Sequence, residues 1–98
     1  MDIGMAREGN QLTVTLAGEL NTATAPELEA ALADEVKADD TIVFDMTDLT
    51  YMTSPGLRIL VACDVATGER GAVTLRGVCA EVREVLTITG FDTILAIE

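Results

Sequence analysis

The chain has 98 residues, 49% of them apolar and only 3% aromatic, which suits one small domain over residues 1–98 with an aliphatic core. Its net charge of −11 argues against a nucleic acid partner, which needs a basic face, and against anionic membrane surfaces. It has no histidine and only two cysteines, Cys63 and Cys79, far apart in sequence, so a zinc site of ordinary ligand number and histidine-based catalysis are both excluded.

The apolar runs are too short to cross a bilayer, and no basic, apolar leader opens the chain, so a cytoplasmic protein is expected. Ile3 to Ala6 is a weak first strand, and Gly9-Asn10 is a turn signal. Gln11-Leu12-Thr13-Val14-Thr15-Leu16 alternates polar and apolar residues, the pattern of a half-buried strand. Gly18 to Ala23 reads as a polar connection. Thr24-Ala25-Pro26-Glu27 has the spacing of a capping box, with Thr24 as the cap. Leu28, Ala31, Leu32 and Val36 then follow at helical spacing, which predicts a helix from about 25 to 38, with Asp39-Asp40 as a solvated stop. Thr41-Ile42-Val43-Phe44 is a short, continuously apolar run that fits the centre of a sheet. Asp45 to Met52 reads as a loop. A second helix is expected from about 55 to 67, with Leu57, Leu60, Val61 and Val65 on one stripe, widened by Ile59, Ala62, Cys63 and Ala66. Gly68 and Gly71 end it. Ala72 to Arg76 is a strand, and a third helix spans about 80 to 89 with Val82, Val85 and Leu86 inward and Gly90 as its stop. Thr93 to Ile97 is the last strand. Strands that alternate with helices imply crossover connections, hence an α/β fold in the order β-β-α-β-α-β-α-β with a mixed sheet and a hairpin at one edge.

Ser54 is the only serine, against thirteen threonines. Followed by proline and an apolar helical repeat, it carries the signature of a helix N-cap. The start of a helix also tolerates an added anion, because its N–H groups point outward and its dipole is positive there. Ser54 is therefore either a plain cap or a cap that doubles as a phosphorylation switch, and spacing alone favours the plain cap.

Three segments in chain order resemble one family. They are Gly18 to Leu28; Phe44 to Leu57, which includes Tyr51-Met52-Thr53-Ser54-Pro55-Gly56-Leu57; and Val82 to Phe91. Together they are similar to a STAS domain, specifically to bacterial anti-sigma factor antagonists. The resemblance implies a STAS-like fold and a partner switch. The unmodified protein would bind an anti-sigma factor that is itself a serine kinase, which frees a sigma factor. Phosphorylation of Ser54 would end the complex, and a phosphatase would reset it. The contact surface it implies comprises Asn21, Thr22, Thr53, Ser54, Pro55, Gly56, Leu57 and Arg58. In the family motif an aspartate usually stands where this chain has Thr53, and a hydroxyl residue usually stands where it has Pro55. Asn21 likewise replaces the usual aspartate of the first loop. The family commonly adds a further helix after the last strand. Without it, an exposed apolar strip would favour a weak homodimer.

The remaining candidates have plainer readings beside the functional ones. Asp45 and Asp48 lack the further ligands that a metal needs and are better read as loop caps. Asn21 contacts the partner or serves the backbone of its own loop. Cys63 is a core residue. Cys79 precedes the third helix, where a thiolate would be favoured, but is better read as structural. Arg58 is a solvated residue or a partner contact. No G-x-x-x-x-G-K stretch is present, so the expectation is a protein that is not an enzyme and needs no cofactor. The rival to the antagonist reading is a STAS scaffold or transport-associated module that is never phosphorylated and binds a protein or lipid carrier through the same face.

Overall fold

The computed structural model describes residues 1–37, 40–66, 73–93 and 95–98. The elements are β1 (Asp2–Glu8), β2 (Gln11–Leu20), α1 (Ala25–Ala33), β3 (Thr41–Met52), α2 (Ser54–Ala66), β4 (Val73–Arg76), α3 (Ala80–Thr89) and β5 (Ala96–Ile97), with a 3-10 turn at Phe91–Thr93 before the last strand. The five strands form one sheet in the order β1-β2-β3-β4-β5. β1 and β2 pair antiparallel through the Gly9-Asn10 turn, where Gly9 has φ +63°, and the other pairs are parallel. The mixed α/β fold, the edge hairpin and the central place of Thr41–Phe44 agree with the sequence.

Right-handed crossovers between successive parallel neighbours put all three helices on one face of the sheet. The period of two decides which strand residues meet them. Leu12, Val14, Leu16, Ile42, Phe44, Val73 and Leu75 are buried and form one core with Leu28, Leu32, Leu57, Leu60, Val82 and Leu86 from the helices. Thr13, Thr15, Asp45 and Thr74, on the opposite face, remain half-buried or exposed.

Several expectations are corrected. β3 continues through Asp45 to Met52, where a loop was expected, and β2 continues to Leu20. Two bulges explain why the pattern hides this. Between the pairs Thr15↔Asp45 and Ala17↔Asp48, and again between Gly18↔Leu49 and Glu19↔Tyr51, β3 advances one residue more than β2. Each extra residue turns the buried side by one position, so Met46, Leu49 and Met52 are buried at intervals of three rather than two.

α1 ends at Ala33, not near 38. Asp40 is no solvated stop. It is buried, and its carboxylate accepts hydrogen bonds from Arg7 Nη1 (3.0 Å) and Nη2 (2.9 Å) and from the backbone N–H of Lys37 (2.8 Å). The hydrogen-bonded Arg7 guanidinium, with help from the Lys37 N–H, holds this carboxyl below its usual pKa. Asp39, Ala72 and the glycines expected to end the second helix, Gly68 and Gly71, lie outside the described residues. On α2, Val65 points to solvent and is 74% exposed, against the expected stripe, and Ala62 and Ala66 are also exposed. α3 is as expected: Val82 and Leu86 are buried, Val85 is half-buried, and Gly90 ends the helix with φ +81°.

Candidate functional site

Parallel pairing of β2 with β3 carries two loops out side by side. Leu20 pairs with Met52 at the C-terminal ends of the strands, and the N–H of the next residue, Thr53, donates to Leu20 O at 2.9 Å. Asn21 and Ser54 therefore leave the same edge of the sheet. This is where open parallel sheets usually place their binding sites.

The two helix starts are built differently. At α1, the Asn21 Oδ1 accepts from the N–H groups of Ala23 (2.9 Å) and Thr24 (3.1 Å), and the Asn21 carbonyl accepts from Ala25 N–H (2.8 Å). The Thr24 hydroxyl donates to Glu19 O (2.8 Å) and accepts from Asn21 N–H (2.8 Å). The expected capping box at Thr24 and Glu27 is thus absent: Thr24 makes no side-chain cap bond to the helix, and the Asn21 side chain instead ties the turn just before it. Of the two readings of Asn21, its side chain serves its own loop.

At α2, the backbone carbonyl of Thr53 accepts from Gly56 N–H (3.0 Å) and Leu57 N–H (3.3 Å), so Thr53, not Ser54, stands at the cap position. This corrects the reading of Ser54 as an N-cap. Ser54 is the first residue of the helix, is exposed, and its hydroxyl makes no hydrogen bond among the described residues. The Thr53 hydroxyl is buried and has no partner among the described residues.

Of the other residues singled out, Thr22 and Arg58 are exposed, and Asn21, Thr53 and Pro55 are half-buried. Gly56 and Leu57 are buried and belong to the packing beneath the site, not to its surface. A Cβ on Gly56 would stand 2.6 Å from Leu20 Cγ and Cδ2, which explains the glycine there. Thr22, Pro55 and Arg58 meet at the mouth of a groove between α1 and α2. Pro26 and Glu29 line the α1 side, and Ile59 lines the floor. Further along, the groove becomes more apolar, with Leu32, Val36 and Cys63 in its walls. The sequence reading missed the α1 side of this groove. Its signal was available in the small residues Ala33, Ala62 and Ala66 of the two helices and in Val36 just beyond α1. Tyr51, 47% exposed on β3 next to the site, was hidden in the supposed loop.

Asp45 accepts from the Thr47 N–H (3.1 Å) and hydroxyl (2.7 Å), and these bonds hold its carboxyl below the usual carboxylate range, in keeping with a local cap. Among the described residues no three His, Cys, Asp or Glu side chains gather as a metal site. Burial pushes the Cys63 thiol up to about 11, which keeps it protonated and suits a core residue. Cys79, half-buried at the start of α3, directs its Sγ to Leu49 O at 3.4 Å. No helix among the described residues is long and apolar enough to cross a membrane.

Comparison with known proteins agrees with this geometry. The family model described as "Mlab, STAS domain" matches residues 3–96. The chain is 34% identical to BtrV of Bordetella bronchiseptica, whose name places it among anti-sigma factor antagonists, over 99% of this chain and 85% of that protein. It is 29% identical to the anti-sigma-B factor antagonist of Listeria monocytogenes, over 94% of this chain and 82% of that protein. Its fold is similar to the crystal structure of an anti-sigma factor antagonist from Mycobacterium paratuberculosis, with a TM-score of 0.83 at 24% identity over 98% of this chain and 83% of that one.

Proposed function

This chain belongs to the STAS family, and we propose that within it the protein is an anti-sigma factor antagonist that works by partner switching in the cytoplasm. Unmodified, it binds an anti-sigma factor that is also a serine kinase, and so releases a sigma factor. The kinase transfers the γ-phosphoryl group of ATP to Ser54, the complex dissociates, and a phosphatase resets the switch. The protein itself catalyses nothing in this scheme; it is bound, modified and released.

The observation that carries this reading is the state of Ser54. Ser54 is exposed and opens α2, and among the described residues its hydroxyl is committed to no bond. A serine that capped its helix would have to give up that bond before reacting, and this one has none to give up. The contact surface is the groove mouth with Thr22, Pro55 and Arg58, together with Ser54, and the Asn21 loop is held in shape behind it. Adding about −1.5 to −2 charges at Ser54 leaves the fold intact, because a helix start favours an anion. A partner packed over the same point would bury that charge unpaired, at a cost of several kcal/mol.

The test combines co-purification with phosphorylation. The protein isolated from its own cells should bring down a kinase-like anti-sigma factor, and incubation with that kinase and ATP should add one phosphate, mapped to Ser54 by mass spectrometry. Ser54→Asp should weaken binding tenfold or more, about 1.4 kcal/mol. Pro55 favours the second reading, because it fills the slot of a family hydroxyl and stiffens the segment that a kinase must grip. If Ser54 stays unmodified and Ser54→Asp binds as tightly as the parent, the protein is an unswitched STAS module that holds a protein or lipid carrier through this face.

A further inference from the structure

Ser54 and Arg58 stand four positions apart on α2, so the two side chains lie on the same face one turn apart. Helical side chains slant toward the N-terminus, which leans Arg58 back over the first turn, toward Ser54. Both residues are exposed. Arg58 makes no hydrogen bond or ion pair among the described residues, whereas Arg7 is held by Asp40 and Arg76 by Glu98. Glu29, on α1, shares the groove with Arg58 without pairing with it.

The dipole at this helix start favours an anion, but the backbone offers it few free donors. The Thr53 N–H is used by Leu20 O, and the N–H groups of Gly56 and Leu57 are used by Thr53 O. Pro55 has no N–H at all. That leaves the N–H of Ser54 itself. A phosphate brings three strong acceptor oxygens, and the guanidinium of Arg58 offers donors in the fork geometry that phosphate accepts best.

We propose that Arg58 captures the phosphate of phosphorylated Ser54 as an intrahelical ion pair, so that one modification both adds an anion and withdraws the free cation at the groove mouth. The inference rests on Ser54 being the phosphoacceptor. The preceding step forms the Ser54 Oγ–phosphorus bond, breaks the bond between the γ-phosphorus and ADP, and releases the hydroxyl proton. Arg58 then pairs with the product. Order along the helix favours this pair, with the anion N-terminal to the cation. Before modification the mouth presents the unpaired Arg58 cation, with Glu29 elsewhere in the groove; afterwards that cation is spent on the phosphate and the mouth is net negative. The docking face thus loses its free cation as well as gaining negative charge.

The test needs no kinase. Phosphoserine is placed at position 54 by genetic encoding, and the second ionisation of the phosphate, near 6 in an unperturbed phosphoserine, is followed by phosphorus NMR. The expected result is a phosphate pKa lower in the parent than in Arg58→Gln by about 0.3 unit or more at low salt. Arg58→Lys should recover part of the shift, because it keeps the charge and loses the fork. Arg83→Gln, on α3, should match the parent, and high salt should shrink the difference. Because Arg58 is exposed, all variants should give the parent circular dichroism spectrum. Equal phosphate pKa values in the parent and Arg58→Gln overturn the capture, as does an equal shift in Arg83→Gln, which would mark a general charge effect. A kinase that fails to modify Ser54 sinks the phosphorylation reading and leaves this titration unaffected, so the two failures are distinct.

Discussion

The starts of α1 and α2 lie side by side at one edge of the sheet, yet only the first is tied down by its side chains. Asn21 and Thr24 make four short bonds with the backbone of the turn that leads from β2 into α1. At α2 the hydroxyls of Thr53 and Ser54 also stand at the helix start, and neither makes a bond among the described residues. Caps add about 1 kcal/mol where they form, so local stability would favour the same arrangement at both ends. The difference shows that α2 is held by something other than its cap, and that Ser54 is left available. What holds it is the stripe beneath. Gly56, Leu57, Leu60 and Cys63 are buried, and α2 lies against α1 and β4.

If packing alone anchors α2, truncating that stripe should have the largest effect in the molecule. Leu57→Ala or Leu60→Ala should each destabilise by about 2–5 kcal/mol, the cost of lost burial plus a cavity under a fixed helix. Denaturant melts that show under 1 kcal/mol for both would mean that α2 is not anchored from below. Gly56→Ala comes next. Alanine would favour the helix by up to about 1 kcal/mol, but its Cβ would meet the wholly buried Leu20 at 2.6 Å. Overpacking costs about 1–3 kcal/mol, so the net change should be a loss of about 1–2 kcal/mol. A more stable Gly56→Ala protein would show that Leu20 has room to shift.

The same contrast explains what the sequence revealed. Strand-helix alternation was plain, because the buried faces of β2, β4, α2 and α3 follow the periods of two and 3.6, and those periods are local properties. The second half of β3 was illegible because its two bulges break the period, and a bulge is fixed by the neighbouring strand rather than by the bulged residues. The end of α1 was misjudged because Val36 continues the helical spacing, while Asp40 is claimed by Arg7 from the edge strand 33 residues away. Ser54 was placed within a residue of its true position, at the start of α2, from Ser-Pro-Gly-Leu alone. Its bonding was not legible, because a shift of one residue in the backbone makes Thr53 the cap and frees the serine. The groove escaped notice for a related reason: it exists only because α1 and α2 lie side by side, and each helix read alone shows just a few small residues.

Breaking the tied start should cost a moderate amount. Asn21→Ala removes the acceptor for two backbone N–H groups of the turn and should destabilise by about 1 kcal/mol, the usual net worth of such hydrogen bonds. It should also loosen the loop, which hydrogen exchange at Ala23 and Thr24 would register as faster exchange. A change of a few tenths of a kcal/mol, with exchange unaltered, would mean that the Thr24 bonds suffice and that the contrast between the two starts is weaker than drawn.

The smallest effects are expected at the open start, and they separate it most sharply from its neighbour. Ser54→Ala removes a hydroxyl that bonds nothing, so stability should change by less than about 0.5 kcal/mol, as for an ordinary surface substitution. A loss near 1 kcal/mol would show that the serine caps α2 in solution after all. Thr53→Val removes the buried, unpartnered hydroxyl and keeps the shape of the side chain. An unsatisfied buried polar atom is a liability, and replacing it with an apolar group of the same shape is neutral to stabilising. Thr53→Val should therefore melt at the parent temperature or slightly above it. The pair of results is decisive together. If serine and threonine both prove dispensable for stability while Asn21 does not, the hydroxyl at Ser54 is retained for something other than holding the helix.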